Sequence, residues 1–77
     1  MSTLTVNKSK RAINLWFSDY KMHVQLEDGR EVAVPLEWFT TLRDAGKEER
    51  NNWRFIGEGE GIHWDDLDED ILVEGLL

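Results

Sequence analysis

The feature that most limits what this chain can fold into is a pair of alternating runs that meet across Glu27-Asp28-Gly29. From Tyr20 to Leu26 every second side chain is apolar: Tyr20, Met22, Val24 and Leu26 share one face, and Lys21, His23, Gln25 and Glu27 the other. This is the period of a half-buried strand. The run after the glycine must pair back onto it, and a slip of one residue would turn every side chain to the wrong face. A two-residue Asp28-Gly29 loop would set Val24 opposite Ala33 and His23 opposite Val34, wasting both valines. A three-residue loop, Glu27-Asp28-Gly29, sets Leu26 opposite Arg30, Val24 opposite Val32 and Met22 opposite Val34. It also puts Gly29 where φ must be positive. The three-residue turn is the expected one.

The same reasoning extends outward from this hairpin. Ile13, Leu15 and Phe17 alternate with Asn14, Trp16 and Ser18 as a preceding strand, with Ile13, Leu15 and Phe17 on one face. Pro35, with its set φ and missing N–H, closes the third strand and suits the first turn of a helix, along which Leu36, Phe39 and Leu42 form one stripe. That helix should stop near Asp44 to Gly46, and a second short helix should run from Lys47 to Trp53 with Glu48 and Glu49 near its start. Phe55 and Ile56 read as a short strand entering a glycine-rich turn, after which Ile62 and Trp64 rejoin the sheet. Ile71 and Val73 alternate as a last strand, and Leu76 and Leu77 dock the end. The expected fold class is therefore α+β: a small antiparallel sheet, rich in β-hairpins, of about four to five short strands with two short helices packed on it. Residues 1–11 are polar without apolar periodicity and read as a mobile leader; residues 12–77 read as a single domain.

A 77-residue chain has room for one core, and four tryptophans, three phenylalanines and a tyrosine must fill much of it. With no cysteine there is neither a disulfide framework nor a thiolate zinc site, which fits a reducing cytoplasm, and neither a signal peptide nor a membrane span is recognisable. Charge is unevenly placed. Nine basic and eight acidic residues lie up to Arg54, whereas from Phe55 onward there are eight acidic and no basic residues. Such a C-terminal third repels phosphate backbones, which argues against direct nucleic-acid binding, and it invites a basic partner.

The motifs that resemble sites fail on chemistry. Gly57-x-Gly59-x-Gly61 resembles a phosphate-cradling loop, but the dinucleotide pattern needs a glycine where Ile62 stands, and Glu58 and Glu60 would repel the ligand; a turn or bulge is the ordinary reading. Asp66, Asp68 and Asp70 alternate like the first ligands of a calcium loop, yet Ile71 and Leu77 occupy the places of its glycine and glutamate, leaving a solvated acidic turn. His63 among carboxylates could serve as a metal ligand or general base, but one histidine is no site, and whether His23 meets it is not legible. Ser18, Thr40 and Thr41 lack an activating motif. No catalytic residue, metal or cofactor is assigned.

Trp53 and Trp64 are ordinary core material by position, while Trp16 lies opposite the Ile13, Leu15, Phe17 face and Trp38 lies off the helical stripe. At least one of the latter pair is expected to be exposed, which would mark an interface.

The chain from about Ile13 to Leu77 resembles the family named domain of unknown function 2442. The resemblance is carried by Tyr20-x-x-x-Val24-x-Leu26-x-Asp28-Gly29, by Val34-Pro35-Leu36-x-Trp38-Phe39 and by Arg50-x-x-Trp53-Arg54-x-Ile56-Gly57. Its most specific stretch is Gly61-Ile62-His63-Trp64-x-x-Leu67-Asp68-Glu69-Asp70-Ile71-x-Val73-x-Gly75-Leu76-Leu77. The resemblance implies an α+β fold with a small antiparallel sheet and helices against it. It also implies a short bacterial protein whose gene lies beside that of another small protein, in an arrangement like a toxin-antitoxin pair. Some members carry an added helix-turn-helix domain, which the present 77 residues are not expected to contain. The functional expectation is a non-catalytic protein-binding module for a small basic protein, the antitoxin-like or accessory member of such a pair. The residues expected to meet that partner are Glu58, Glu60, His63, Trp64, Asp68, Glu69 and Asp70. The first alternative is a self-associating structural or regulatory domain that forms a homodimer through a sheet edge or Trp face. The second, ranked below it, is a small-ligand or metal-binding protein, which would require His63 and carboxylates to converge on a pocket.

Overall fold

The computed structural model describes residues 7–77 and places two three-stranded antiparallel meanders on a shared core. The first meander comprises β1 (Ala12–Phe17), β2 (Lys21–Leu26) and β3 (Glu31–Pro35), in that spatial order. A 3₁₀ turn at Leu36–Trp38 leads to α1 (Thr40–Asp44) and α2 (Lys47–Asn51). The second meander then follows as β4 (Trp53–Ile56), β5 (Gly61–Trp64) and β6 (Glu69–Leu72), and a 3₁₀ turn at Val73–Leu76 closes the chain. The α+β class holds, with six strands in two sheets where about four to five in one sheet were expected.

The β2–β3 hairpin has the register that burial demands. Met22 pairs with Val34 and Val24 with Val32, Leu26 N–H donates to the Arg30 carbonyl at 2.8 Å, and Gly29 adopts φ 97°. Met22, Val24 and Leu26 are consequently shut off from solvent. They meet Leu15 and Val34 of the same sheet, Ile62, Trp64 and Ile71 of the second, and Leu36, Leu42, Val73 and Leu76 from the connecting turns and helix.

Several local expectations give way to the tertiary arrangement. Ala12 pairs with Leu26 and Asn14 with Gln25, so Ile13 is the extra residue of a β-bulge; it is exposed and not on the face of Leu15 and Phe17. Tyr20 precedes β2 and is exposed, because the turn after Phe17 breaks the alternation before that strand begins. The Leu36, Phe39, Leu42 stripe faces the core, but Phe39 adopts φ −130° and ψ 82° and divides the expected helix in two. Trp53 opens β4 and does not end α2, and Val73 lies in the final 3₁₀ turn beyond β6. Residues 1–6 of the expected leader lie outside the described residues. Next to them, Ser9 N–H donates to Asp28 at 2.7 Å and Arg30 donates to the Ser9 carbonyl at 2.9 Å, which ties this stretch to the β2–β3 turn.

Gly59, in the 3₁₀ turn between β4 and β5, packs tightly against β1 of the first sheet. Its φ is +90°, and a Cβ there would lie 2.3 Å from the Ala12 carbonyl oxygen of β1. Gly29 carries the positive φ without the crowding, and Gly75 carries neither. We therefore expect Gly59→Ala to destabilise the fold by about 2 to 3 kcal/mol, Gly29→Ala by about 1 kcal/mol, and Gly75→Ala by less than about 0.5 kcal/mol. Urea unfolding followed by tryptophan fluorescence checks this order; equal losses at Gly59 and Gly29 would show that the close approach to Ala12 contributes nothing.

Candidate functional site

Cross-strand pairing decides which of the expected site residues meet. On the outer face of the second sheet Arg54 of β4 is paired with His63 of β5, and His63 with Asp70 of β6, so the three form one rung across the sheet. The β5–β6 turn folds Asp65 back over this rung. His63 Nδ1 bonds to Asp70, Nε2 lies 2.8 Å from Asp65 Oδ1, and Arg54 bonds to both oxygens of Asp65 at 3.3 and 3.4 Å. Both imidazole nitrogens are thus engaged by carboxylates, the arrangement that suits the doubly protonated ring. The Asp70 hydrogen bond, helped by the charges of Asp70 and Asp65, raises the His63 pKa above 6.5 against the opposing pull of partial burial and of Arg54. Arg54, in turn, holds the Asp65 carboxyl below its ordinary value.

The remaining expected contacts separate. Glu58 and Glu60 sit at the opposite end of the second sheet, in the turn between β4 and β5, where Arg11 lies 3.4 and 4.0 Å from them. In that turn Gly57, Glu58 and Gly59 all have positive φ. Asp68 and Glu69 stand at the β5–β6 turn with no basic partner among the described residues, and Asp66 beside them accepts a bond from Asn52 Nδ2 at 2.9 Å. Trp64 must be withdrawn from the contact set. It is fully buried, and its indole Nε1 donates to the Arg50 carbonyl at 2.8 Å, so it acts as a core residue. Its burial agrees with the core reading of Trp64 and removes the contact reading, because β5 turns the face of Ile62 and Trp64 inward.

His23 does not join His63, because it belongs to the other sheet. It is central in the first meander, its ring stacks on Trp16 with centroids 5.5 Å apart and planes 4° from parallel, and its Nε2 bonds to Ser18 Oγ at 2.9 Å. Trp16 is accordingly half-buried, while Trp38 is 63% exposed. A shallow basin of about 330 Å³ lined by Phe17, Ser18, Asp19, Lys47, Arg50 and Asn51 lies against α2 and contains none of the expected residues. A smaller groove of about 240 Å³, lined by Phe39, Asp70, Ile71, Leu72, Gly75 and Leu76, runs beside β6. Composition pointed to the acidic turn, but nothing in the order of residues marked this groove, since Phe39 reaches it from a distant segment. Among the described residues no helix is long and apolar enough to cross a membrane.

The fold and its surface define a small α+β domain of two packed meanders whose second sheet carries the acidic turn and the groove. The chain belongs to the family described as protein of unknown function (DUF2442), whose model matches residues 12–77. Its structure is similar to the crystal structure, at 2.75 Å resolution, of a protein of unknown function from Rhodospirillum rubrum ATCC 11170. The TM-score is 0.74 at 29% sequence identity, over 86% of this chain and 82% of that one. No curated protein matches the chain.

The raised His63 pKa has a definite sign in stability. Protonated His63 is favoured by the fold, so its contribution is fully present below pH 6.5 and is lost as pH rises through the higher folded-state value. Thermal unfolding midpoints measured at increasing pH should fall across that window, and His63→Gln should remove this component of the slope. Asp70→Asn should move the His63 titration seen by NMR downward; an unmoved titration would show that Asp70 does not hold the charge.

Proposed function

We propose that the chain is a protein-binding module that engages a small basic protein through its acidic C-terminal third. The observation that carries this reading is the disposition of charge around the β5–β6 turn. Asp66, Asp68 and Glu69 stand together there without a basic partner among the described residues, whereas Glu58 and Glu60 face Arg11 and Glu74 lies 3.6 Å from Lys10. Charges left over in this way raise the local potential that steers a cationic partner, and the apolar groove beside them offers the dry contact on which lasting affinity depends. In this reading His63, Asp65 and Asp70 stiffen the turn, and Asp66, Asp68 and Glu69 meet the partner. A cytoplasmic role as the neutralising or accessory member of a two-gene bacterial pair agrees with the absence of cysteine and with the family resemblance.

A second reading, self-association, is favoured by Trp38, since an indole 63% exposed on a domain this small is an unusual apolar surface. Light scattering across a wide concentration range separates the two, because only self-association raises the mass of the purified chain.

Affinity capture from a bacterial lysate, at low and at high salt, tests the leading reading. We expect a small basic protein to be retained at low salt and weakened at high salt. Joint replacement Asp66→Lys, Asp68→Lys and Glu69→Lys should lower its capture roughly tenfold with the fold intact. Unchanged capture by the charge-reversed chain would overturn the electrostatic basis of the proposal.

A further inference from the structure

We propose that β6 is an open docking edge that accepts an extended basic peptide segment as an added strand. The state of the sheet edges points to it. β1 is interrupted by the bulge at Ile13 and β3 ends in Pro35, both of which blunt an edge against further pairing. β4 and β6 carry neither device, and β6 has the groove alongside it.

The register identifies the free groups. Gly61 pairs with Leu72, Ile62 with Ile71 and His63 with Asp70, and Val73 N–H donates to the Glu60 carbonyl at 2.9 Å. Backbone groups alternate in direction along an antiparallel strand. Glu69, Ile71 and Val73 therefore turn theirs toward β5, while Asp70 and Leu72 turn theirs outward. Among the described residues nothing beyond the strand pairing bonds to those outward N–H groups. The Leu72 side chain is 67% exposed, and Phe39, Ile71 and Leu76 supply apolar walls for alternate side chains of an incoming strand.

Charge selects the occupant. Asp68 and Glu69 precede the outward groups and Glu74 follows them. Antiparallel self-pairing centred on Asp70 would set Asp70 directly against Asp70, and like charges directly opposite are destabilising. The registers that set Asp70 against Leu72 or Leu72 against Leu72 still lay two acidic Glu69-Asp70 edges side by side. A strand bearing lysine or arginine meets the same edge with opposite sign. The edge is thus better matched in charge to a basic segment than to a second acidic copy.

The inference rests on the protein-binding reading for its biological use, but the site can be tested directly. The isotope-labelled chain would be titrated with an acetylated heptapeptide alternating lysine and valine, and with its glutamate and valine counterpart. We expect the lysine peptide to shift the amide signals of Asp70 and Leu72 and to slow their hydrogen exchange, and the glutamate peptide to do neither. Leu72 has φ −85° and ψ 125°, which a proline ring can adopt, so Leu72→Pro deletes an outward N–H within a compatible backbone. It should weaken peptide binding about tenfold with an unchanged circular dichroism spectrum. Leu72→Ala keeps the N–H and should bind more tightly than Leu72→Pro. Shifts confined to residues away from β6, no binding, equal binding by the Leu72→Pro chain, or dimerisation through β6 would overturn the proposal. Peptide binding at β6 without capture of any basic protein from a lysate would instead overturn the partner reading and leave the edge site standing. Capture unchanged by Leu72→Pro would remove the edge site and leave that reading.

Discussion

The arrangement of this domain depends on Arg50 and on the indole that bonds to its carbonyl. The guanidinium donates to the carbonyls of Leu42 and Arg43, each at 3.0 Å, and of Ala45 at 3.3 Å, so it satisfies the C-terminal end of α1, where a helix leaves acceptors unpaired. It also lies over the Phe17 ring of β1, 5.6 Å from the centroid. Trp64 Nε1 closes the circuit onto the Arg50 carbonyl. One residue of α2 thereby joins α1, the first sheet and the centre of the second. Without it, two helices of five residues each would have little to hold them, since segments that short are unstable alone.

This linkage explains why the second sheet can carry an acidic outer surface. Its inner face is anchored by Ile62, Trp64 and Ile71 in the shared core, so the outer face is free to hold charge. The Arg54, His63, Asp70 rung and Asp65 then form a polar lattice that keeps the β5–β6 turn in place, with Asp68 at φ 50° in a conformation few side chains adopt. Next to that rung on the same face, Ile56 lies over Gly61, where any Cβ would come within 2.8 Å of the Ile56 side chain. The glycines of this region serve close packing and turning, with Glu58 and Glu60 engaged by Arg11.

What could be read along the chain was whatever depended on neighbours in sequence. The β2–β3 register was legible because Val24, Val32, Met22 and Val34 share one face only with a three-residue turn, and the turn supplies its own glycine. The Leu36, Phe39, Leu42 stripe was legible for the same reason, although its division at Phe39 was not. Ile13 and Tyr20 misled because alternation assumes an unbroken strand, and a bulge or an early turn resets it without any mark in composition. The split into two sheets had no local signal either, because α1 and α2 separate β3 from β4 and only packing decides whether the later strands extend one sheet or begin another.

The candidate site divides along the same line. Sequence by itself determined that the C-terminal third is acidic, that the first hairpin has its observed register and that the core would be built from apolar and aromatic side chains without disulfide staples, since these follow from charge, period and composition. Tertiary structure alone decided that Trp64 points inward, that His63 is clasped by Asp65 and Asp70 while His23 stacks on Trp16 in the other sheet, and that β6 lies open beside a groove. Each of these depends on which strand lies next to which and which face is covered. Pairing between strands is set by closing the whole core at once, and no single segment carries that information.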